Sequence, residues 1–150
     1  MDERMARLET AEDVRHLLAV YGAVCDRRDL SAMETILHPD ATLTIGDRTW
    51  TGRPQVLDFY RSAWAGGSAL QRHFITNTDV EQADAVTATA SALFLHVTAD
   101  RDRSVIGWGG YRDSFRRVDG RLLFHHIDIA MDLHTDLVEG WAGFMAGPGR

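Results

Sequence analysis

Thiol chemistry is almost absent from this sequence. Cys25 is the one cysteine, which excludes an internal disulfide framework and any thiolate-based zinc cluster, so stability must come from packing. An excess of positive charge is missing as well: 16 Lys and Arg stand against 22 Asp and Glu, for a net charge of -6. Phosphate backbones are bound mainly by clustered Lys and Arg, so this balance argues against a nucleic-acid partner. The nearest basic cluster, in "DSFRRVDGR", flanks a turn and reads as solvated hairpin ends. No apolar run approaches the roughly 20 residues needed to cross a bilayer, and no membrane partner is expected. The opening "MDERMARLET" is charged and lacks the apolar core of a signal peptide, which makes the cytoplasm the expected location. Repeats, linkers and low-complexity segments are also lacking, so the 150 residues are read as one domain.

What is present divides by period. In "LETAEDVRHLLAVYGAVCDRRDL", Thr10 reads as the cap of a helix whose apolar residues Val14, Leu17, Leu18, Tyr21 and Cys25 recur at helical spacing. Ser31 with Glu34 has the pattern of a capping box for a brief second helix, Ala32 to Leu37, stopped by His38-Pro39. "DATLTIGDRTWTG" alternates and turns at Gly46-Asp47, as a small strand or hairpin does. Pro54 suits the first turn of a third helix with Val56, Phe59, Tyr60, Ala63 and Trp64 on one face. From Leu70 onward the runs "LQRHFITNTDVEQ", "AVTATASALFLHVTA", "SVIGWGGYRDSFRRV" and "RLLFHHIDIAMDL" are β-rich and separated by short turns. Helices first and strands after is the α+β order, and the short connections predict antiparallel neighbours in a curved sheet wrapped over three helices.

Alternation in "AVTATASALFLHVTA" places Ala88, Ala90, Ala92, Phe94 and His96 on one face. Three methyl side chains in a row leave space above the sheet, which a helix or a ligand must fill. Taken alone, His96 and His73 each read as a strand histidine hydrogen-bonded to a carbonyl. His38 reads as a helix-end residue, His16 and His134 as exposed, and only one of the adjacent His125 and His126 is expected to face the core. Asp26 lies about 100° around the first helix from Cys25, at the edge of its apolar stripe. An acid near a helix C-terminus opposes the macrodipole by a few tenths to about 1 kcal/mol unless a cation offsets it, and a histidine would serve.

The segments "AVCDRRDLSAMETILHPDATL", "GRPQVLDFY", "RHFITNTDVE" and "GGYRDSFRRVDGRLLF" together resemble the SnoaL-like branch of the nuclear transport factor 2-like superfamily. Within it they are most similar to scytalone dehydratase and the related bile-acid dehydratases. The likeness spans roughly residues 8–132, leaving a C-terminal tail, 133–150, in which Leu137, Trp141 and Phe144 suggest a short amphipathic turn over a pocket mouth. It implies a cone-shaped α+β barrel with a deep apolar pocket between helices and sheet. It also implies that Asp26, His73 and His96 occupy the acid/base positions of the dehydratase, with His73 as base, Asp26 fixing its tautomer, and His96 or a water protonating the leaving hydroxyl. Cys25 and Ile45 stand where the dehydratase has tyrosines, and Tyr111 where it has an asparagine. The remaining pocket candidates are Tyr21, Phe59, Trp64, Phe94 and Trp108, which suit a small, flat, apolar substrate.

The expected activity is therefore cofactor-independent acid/base chemistry on a small apolar carbonyl compound, dehydration foremost. Polyketide cyclisation, isomerisation and epoxide opening would use the same groove, and a non-catalytic ligand-binding or assembly subunit is the alternative from outside enzymology. Two histidines and a carboxylate also match a metal triad in type, but supporting acids are not placed, so no metal and no cofactor is expected. An open sheet needs its outer face covered, which predicts a homodimer or homotrimer.

Overall fold

The computed structural model describes residues 2–67, 70–100 and 102–137. Three helices come first, interrupted by a hairpin: α1 (Glu3–Arg27), α2 (Leu30–Ile36), β1 (Leu37–Ile45), β2 (Arg48–Thr51) and α3 (Arg53–Trp64). Four long strands follow: β3 (Leu70–Ala83), β4 (Thr87–Ala99), β5 (Ser104–Val118) and β6 (Arg121–Leu137). They form one sheet in the order β2-β1-β6-β5-β4-β3. Neighbours are antiparallel except β1 and β6, which run parallel. This is the α+β arrangement that the order of periods in the sequence predicts, three helices packed on a mainly antiparallel sheet.

Local chemistry differs from expectation at several element ends. Helix α1 starts at Glu3, with the Asp2 side chain accepting from the Arg4 N–H at 3.2 Å. The residues before Thr10 are strong helix formers, so the helix propagates through them. Thr10 is thus buried inside α1, where its hydroxyl accepts from Arg117 Nη2 at 3.2 Å. The cap of α2 is Asp29, whose carboxylate accepts from the Ala32 N–H at 2.9 Å, and not the Ser31–Glu34 pair. Leu37, His38 and Pro39 belong to β1, whose register against β6 shifts between Leu37 and Thr42, a place where a strand tolerates proline. His38 is accordingly a buried strand residue, its Nδ1 accepting from the Asp40 N–H at 3.0 Å.

The helix-facing side of β4 carries Ala88, Ala90, Ala92 and Phe94, all buried, as alternation predicts. Core side chains from α1, β5 and β6, among them Val14, Leu18, Phe115 and Phe124, complete this layer. The outer face is different. Pairings Phe74↔Leu95, Leu95↔Trp108 and Trp108↔Leu133 align four apolar residues across β3 to β6. Phe74, next to His73 in β3, points to this outer face and is 54% exposed.

Two further corrections concern β5 and β6. Arg117 is no solvated hairpin end: its guanidinium donates to Ala85 O, Gly120 O, Thr10 and Asp13, binding α1 to the strand turns. The register slips between Ser114 and Phe115, so Phe124 and Ile127 are both fully buried and simple alternation fails at the adjacent histidines. Both are half-buried: the His125 ring packs 5.2 Å from that of His38, and His126 Nε2 lies 2.9 Å from Thr44 Oγ1. Strand β6 runs through Leu137, so residues 133–137 are sheet and not tail; Trp141 and Phe144 lie outside the described residues.

Candidate active site

The site begins at the C-terminal end of α1. Arg28 takes the left-handed conformation (φ 54), and the N–H groups of Arg28 and Asp29 return to Cys25 O and Val24 O, closing the helix. Gln71 on β3 donates its side-chain amide to Cys25 O as well, tying the helix end to the strand. One turn earlier, Gly22 faces β3, where a Cβ would meet Ile75 at 3.4 Å and His73 at 3.7 Å, ordinary van der Waals contact. The strand thus passes within hydrogen-bond reach of the last turn of α1, where Asp26 projects.

Asp26 Oδ1 accepts from both the backbone N–H of His73, at 2.9 Å, and its ring Nδ1, at 2.8 Å. Both side chains are mostly shielded, 16% exposed for His73 and 13% for Asp26. A carboxylate acts only as acceptor, so Nδ1 carries a proton in this bond. A hydrogen bond to a charged group contributes about 1.5–3 kcal/mol, enough to hold one ring orientation. Asp26 stands behind the imidazole and is not part of the cavity wall.

His96 lies directly across the β3–β4 ladder from His73, and the two rings stack at 4.4 Å with planes 28° apart. Its surroundings differ. His96 Nε2 is buried with no hydrogen-bond partner among the described residues. Burial first, then the positive charge His73 can carry, lowers its pKa to about 4. At that value His96 is neutral near pH 7.

These rings open on a cavity of ≈270 Å³ between the sheet and helices α1 and α3. Of the expected pocket residues, Tyr21, Cys25, Ile45 and Phe59 line it. So do Trp64, Phe94 and Tyr111. The Ala88–Ala92 row lies beneath core, so packed side chains fill the space above it, and only the Phe94–His96 end reaches the cavity. Trp108 is a correction. It pairs with Leu95 on the outer face and is 42% exposed, because alternation from His96↔Gly107 turns the next pair away from the pocket. Burial pushes the Cys25 thiol up to about 12, so it is no nucleophile near neutrality. A larger depression, lined by Glu81, Ser91, Arg112 and His126 among others, lies elsewhere and contains none of the stacked rings.

Sequence reasoning missed Tyr60, Ala63, Gln71, Ile129 and Met131 as pocket residues. Tyr60 carried a signal, since it falls on the apolar face of α3, but an aromatic on such a face is more often core than pocket. Its hydroxyl is 2.9 Å from that of Tyr21. Burial, with the neighbouring thiol and phenols, raises the pKa of Tyr21, Tyr60 and Tyr111 well above the usual phenol range. The wall thus offers neutral hydroxyls, and among the described residues no cluster of metal-ligating side chains is found. No helix of the described residues is long and apolar enough to cross a membrane.

The family model described as a SnoaL-like domain matches residues 6–128. Among solved structures, a protein from Novosphingobium aromaticivorans provisionally named a scytalone dehydratase shares 15% identity, over 89% of this chain and 91% of its own, with a TM-score of 0.80. A hexachlorocyclohexane dehydrochlorinase from Novosphingobium barchaimii shares 21%, over 91% and 96%, with a TM-score of 0.79. A second protein from Novosphingobium aromaticivorans, provisionally named an aromatic ring hydroxylase, shares 20%, over 88% and 96%, with a TM-score of 0.77. At such identities the likeness shows a common fold, and the three names describe different reactions. No curated protein matches by sequence.

Proposed function

The chain belongs to the SnoaL-like domain family, and from that premise we propose that it is an acid/base lyase: His73, oriented by Asp26, removes a proton next to a carbonyl of a small apolar substrate, and water is lost. The observation that carries this reading is the doubly bonded Asp26 carboxylate, which holds the His73 ring by Nδ1 in the wall of the cavity. Two of the similar folds bear names, dehydratase and dehydrochlorinase, that denote loss of hydrogen and a leaving group from adjacent carbons, which supports elimination over cyclisation or epoxide opening.

The step balances within the site. The C–H electron pair becomes the new C=C bond as the C–O bond breaks, and the proton taken by His73 leaves with the departing hydroxyl as water. Asp26 stabilises the intervening imidazolium. His96, neutral and with an unpartnered Nε2, suits a hydrogen bond to the leaving oxygen. A well-placed base contributes about 10²–10⁴-fold.

Turnover of a β-hydroxy aryl ketone, followed by the absorbance of the conjugated enone, tests the reading. His73→Ala and Asp26→Asn are expected to remain folded and to lose at least ~100-fold in rate. Turnover unchanged in both would overturn the assignment. A protein that binds the ketone without converting it would instead fit the reading as an apolar-ligand carrier, which the aromatic lining of the cavity also favours.

A further inference from the structure

Gln71 is a polar side chain of the cavity wall that the lyase reading leaves unused. It stands two residues before His73 in β3, where half-buried Gln71, His73 and Ile75 alternate with exposed Leu70, Arg72 and Phe74. Gln71 and His73 therefore share the inward face, about 6.7 Å apart along the strand, and both line the cavity. Much of the remaining wall is apolar, with Ile45, Phe59 and Trp64 prominent.

The Gln71 amide has a fixed direction. A backbone carbonyl only accepts, so the Nε2 side must be the one that faces Cys25 O at the end of α1. Oε1 is thereby turned away from the helix end, and it accepts no hydrogen bond from the described residues. With its donor committed to the fold, the amide presents an acceptor that helix and strand together hold in place. An acceptor in a cavity wall selects for a ligand group that has a proton to give, because an apolar group in that place leaves the oxygen desolvated and unpaired.

We propose that Gln71 is the hydroxyl-selecting residue of this cavity: its Oε1 accepts a hydrogen bond from a ligand O–H whose neighbouring carbon faces His73. A methyl group or a chlorine in the same place is of similar size but has no proton to give. At the separation of two inward positions on one strand, the carbon that meets His73 and the oxygen that meets Gln71 can be neighbours in one small molecule. The assignment deepens the lyase reading by naming its substrates as hydroxy compounds. It rests on that reading only for the carbon that faces His73; the binding itself does not require turnover.

The experiment uses two probes of one shape, 1-(2-naphthyl)ethanol and 2-isopropylnaphthalene, which differ by a hydroxyl in place of a methyl group. Their affinities are measured by equilibrium dialysis for the unaltered protein and for the Gln71→Met and His73→Ala variants. The ratio of affinities, alcohol over hydrocarbon, is expected to fall about 3–10-fold in Gln71→Met, the usual net contribution of one hydrogen bond. Affinity for the hydrocarbon should stay within about twofold, since only the hydrogen bond is removed. In the unaltered protein, the carbon-13 signal of the Gln71 side-chain carbonyl should move further on binding the alcohol than on binding the hydrocarbon. A purely structural tie to Cys25 would not give that difference, and the measurement stands even where Gln71→Met does not fold. His73→Ala should keep the ratio, so a failure of the lyase reading and a failure of hydroxyl selection are distinguishable. Equal loss of both probes in Gln71→Met, an unchanged ratio, a carbonyl signal that responds alike to both probes, or no binding of the alcohol by the unaltered protein would each overturn the proposal.

Discussion

His73 and His96 share a ladder position, a face and a ring stack, yet differ in what holds each ring. A carboxylate holds Nδ1 of His73, whereas His96 has desolvation and a neighbouring imidazole, both of which oppose its charging. The folded pKa of about 4 lies below the unfolded value of about 6.5. The contribution to stability is therefore complete above the unfolded value and is lost as pH falls through the window from about 6.5 to 4, where only the unfolded chain takes the proton readily. Melting temperatures measured across that window should decline less steeply for His96→Phe than for the unaltered protein. Parallel profiles would show that His96 does not carry the acid sensitivity.

At the scale of the element, the β5–β6 ladder contains an unusual member. Asp113 is buried on the core side of β5, where its Oδ1 accepts from the Asp128 N–H at 3.2 Å and its Oδ2 has no partner among the described residues. Burial drives its pKa well above the usual carboxylate range, and the Asp128 N–H opposes this only in part. A raised pKa means that the group supports the fold below the unfolded carboxylate value and becomes a burden as pH rises. An asparagine here keeps an oxygen for the Asp128 N–H and removes the charge. Asp113→Asn is expected to stabilise the protein at pH 7–8 by about 1–3 kcal/mol in urea unfolding, with the gain shrinking toward pH 4. A destabilised variant at pH 8 would contradict the assignment of Asp113 as a burden.

For the whole molecule, one side chain joins most of the layers. Arg117 contacts Thr10 and Asp13 of α1, the β3–β4 connection through Ala85 O, and the β5–β6 turn through Gly120 O, at 2.7–3.2 Å. This brace grips α1 at its N-terminal half, whereas Asp26 projects from the other end, thirteen residues beyond Asp13 and so roughly 20 Å along the axis. Arg117→Met should lower unfolding stability by about 1–3 kcal/mol, since it removes hydrogen bonds to partly buried groups. Below the melting temperature, kcat should stay within about twofold of the unaltered protein, because sites this far apart usually act independently. A large loss of kcat at full folding would show that the brace and the site are linked.

Much of this architecture is local enough to be read from the chain. The alternation of Ala88, Ala90, Ala92, Phe94 and His96 determined one face of β4, and helical spacing from Val14 to Cys25 determined the buried stripe of α1. The turn between β3 and β4 then made His73 and His96 neighbours. Element ends were less legible, because Asp2 and Asp29 prevailed as caps over equally plausible residues nearby. Convergence was decided only by tertiary structure. Trp108 and Tyr111 lie three apart on one strand and so on opposite faces by alternation, but which of them meets the pocket follows from pairing with Leu95 and Ala92 on β4. Tyr60 reaches Tyr21 although α2 and the β1–β2 hairpin separate their helices along the chain, and Asp26 reaches His73 from 47 residues away in sequence. Periodicity is a property of neighbours along the chain and determines which way a side chain points within its element; which side chains meet depends on how elements dock, and that is set by packing between residues distant in sequence.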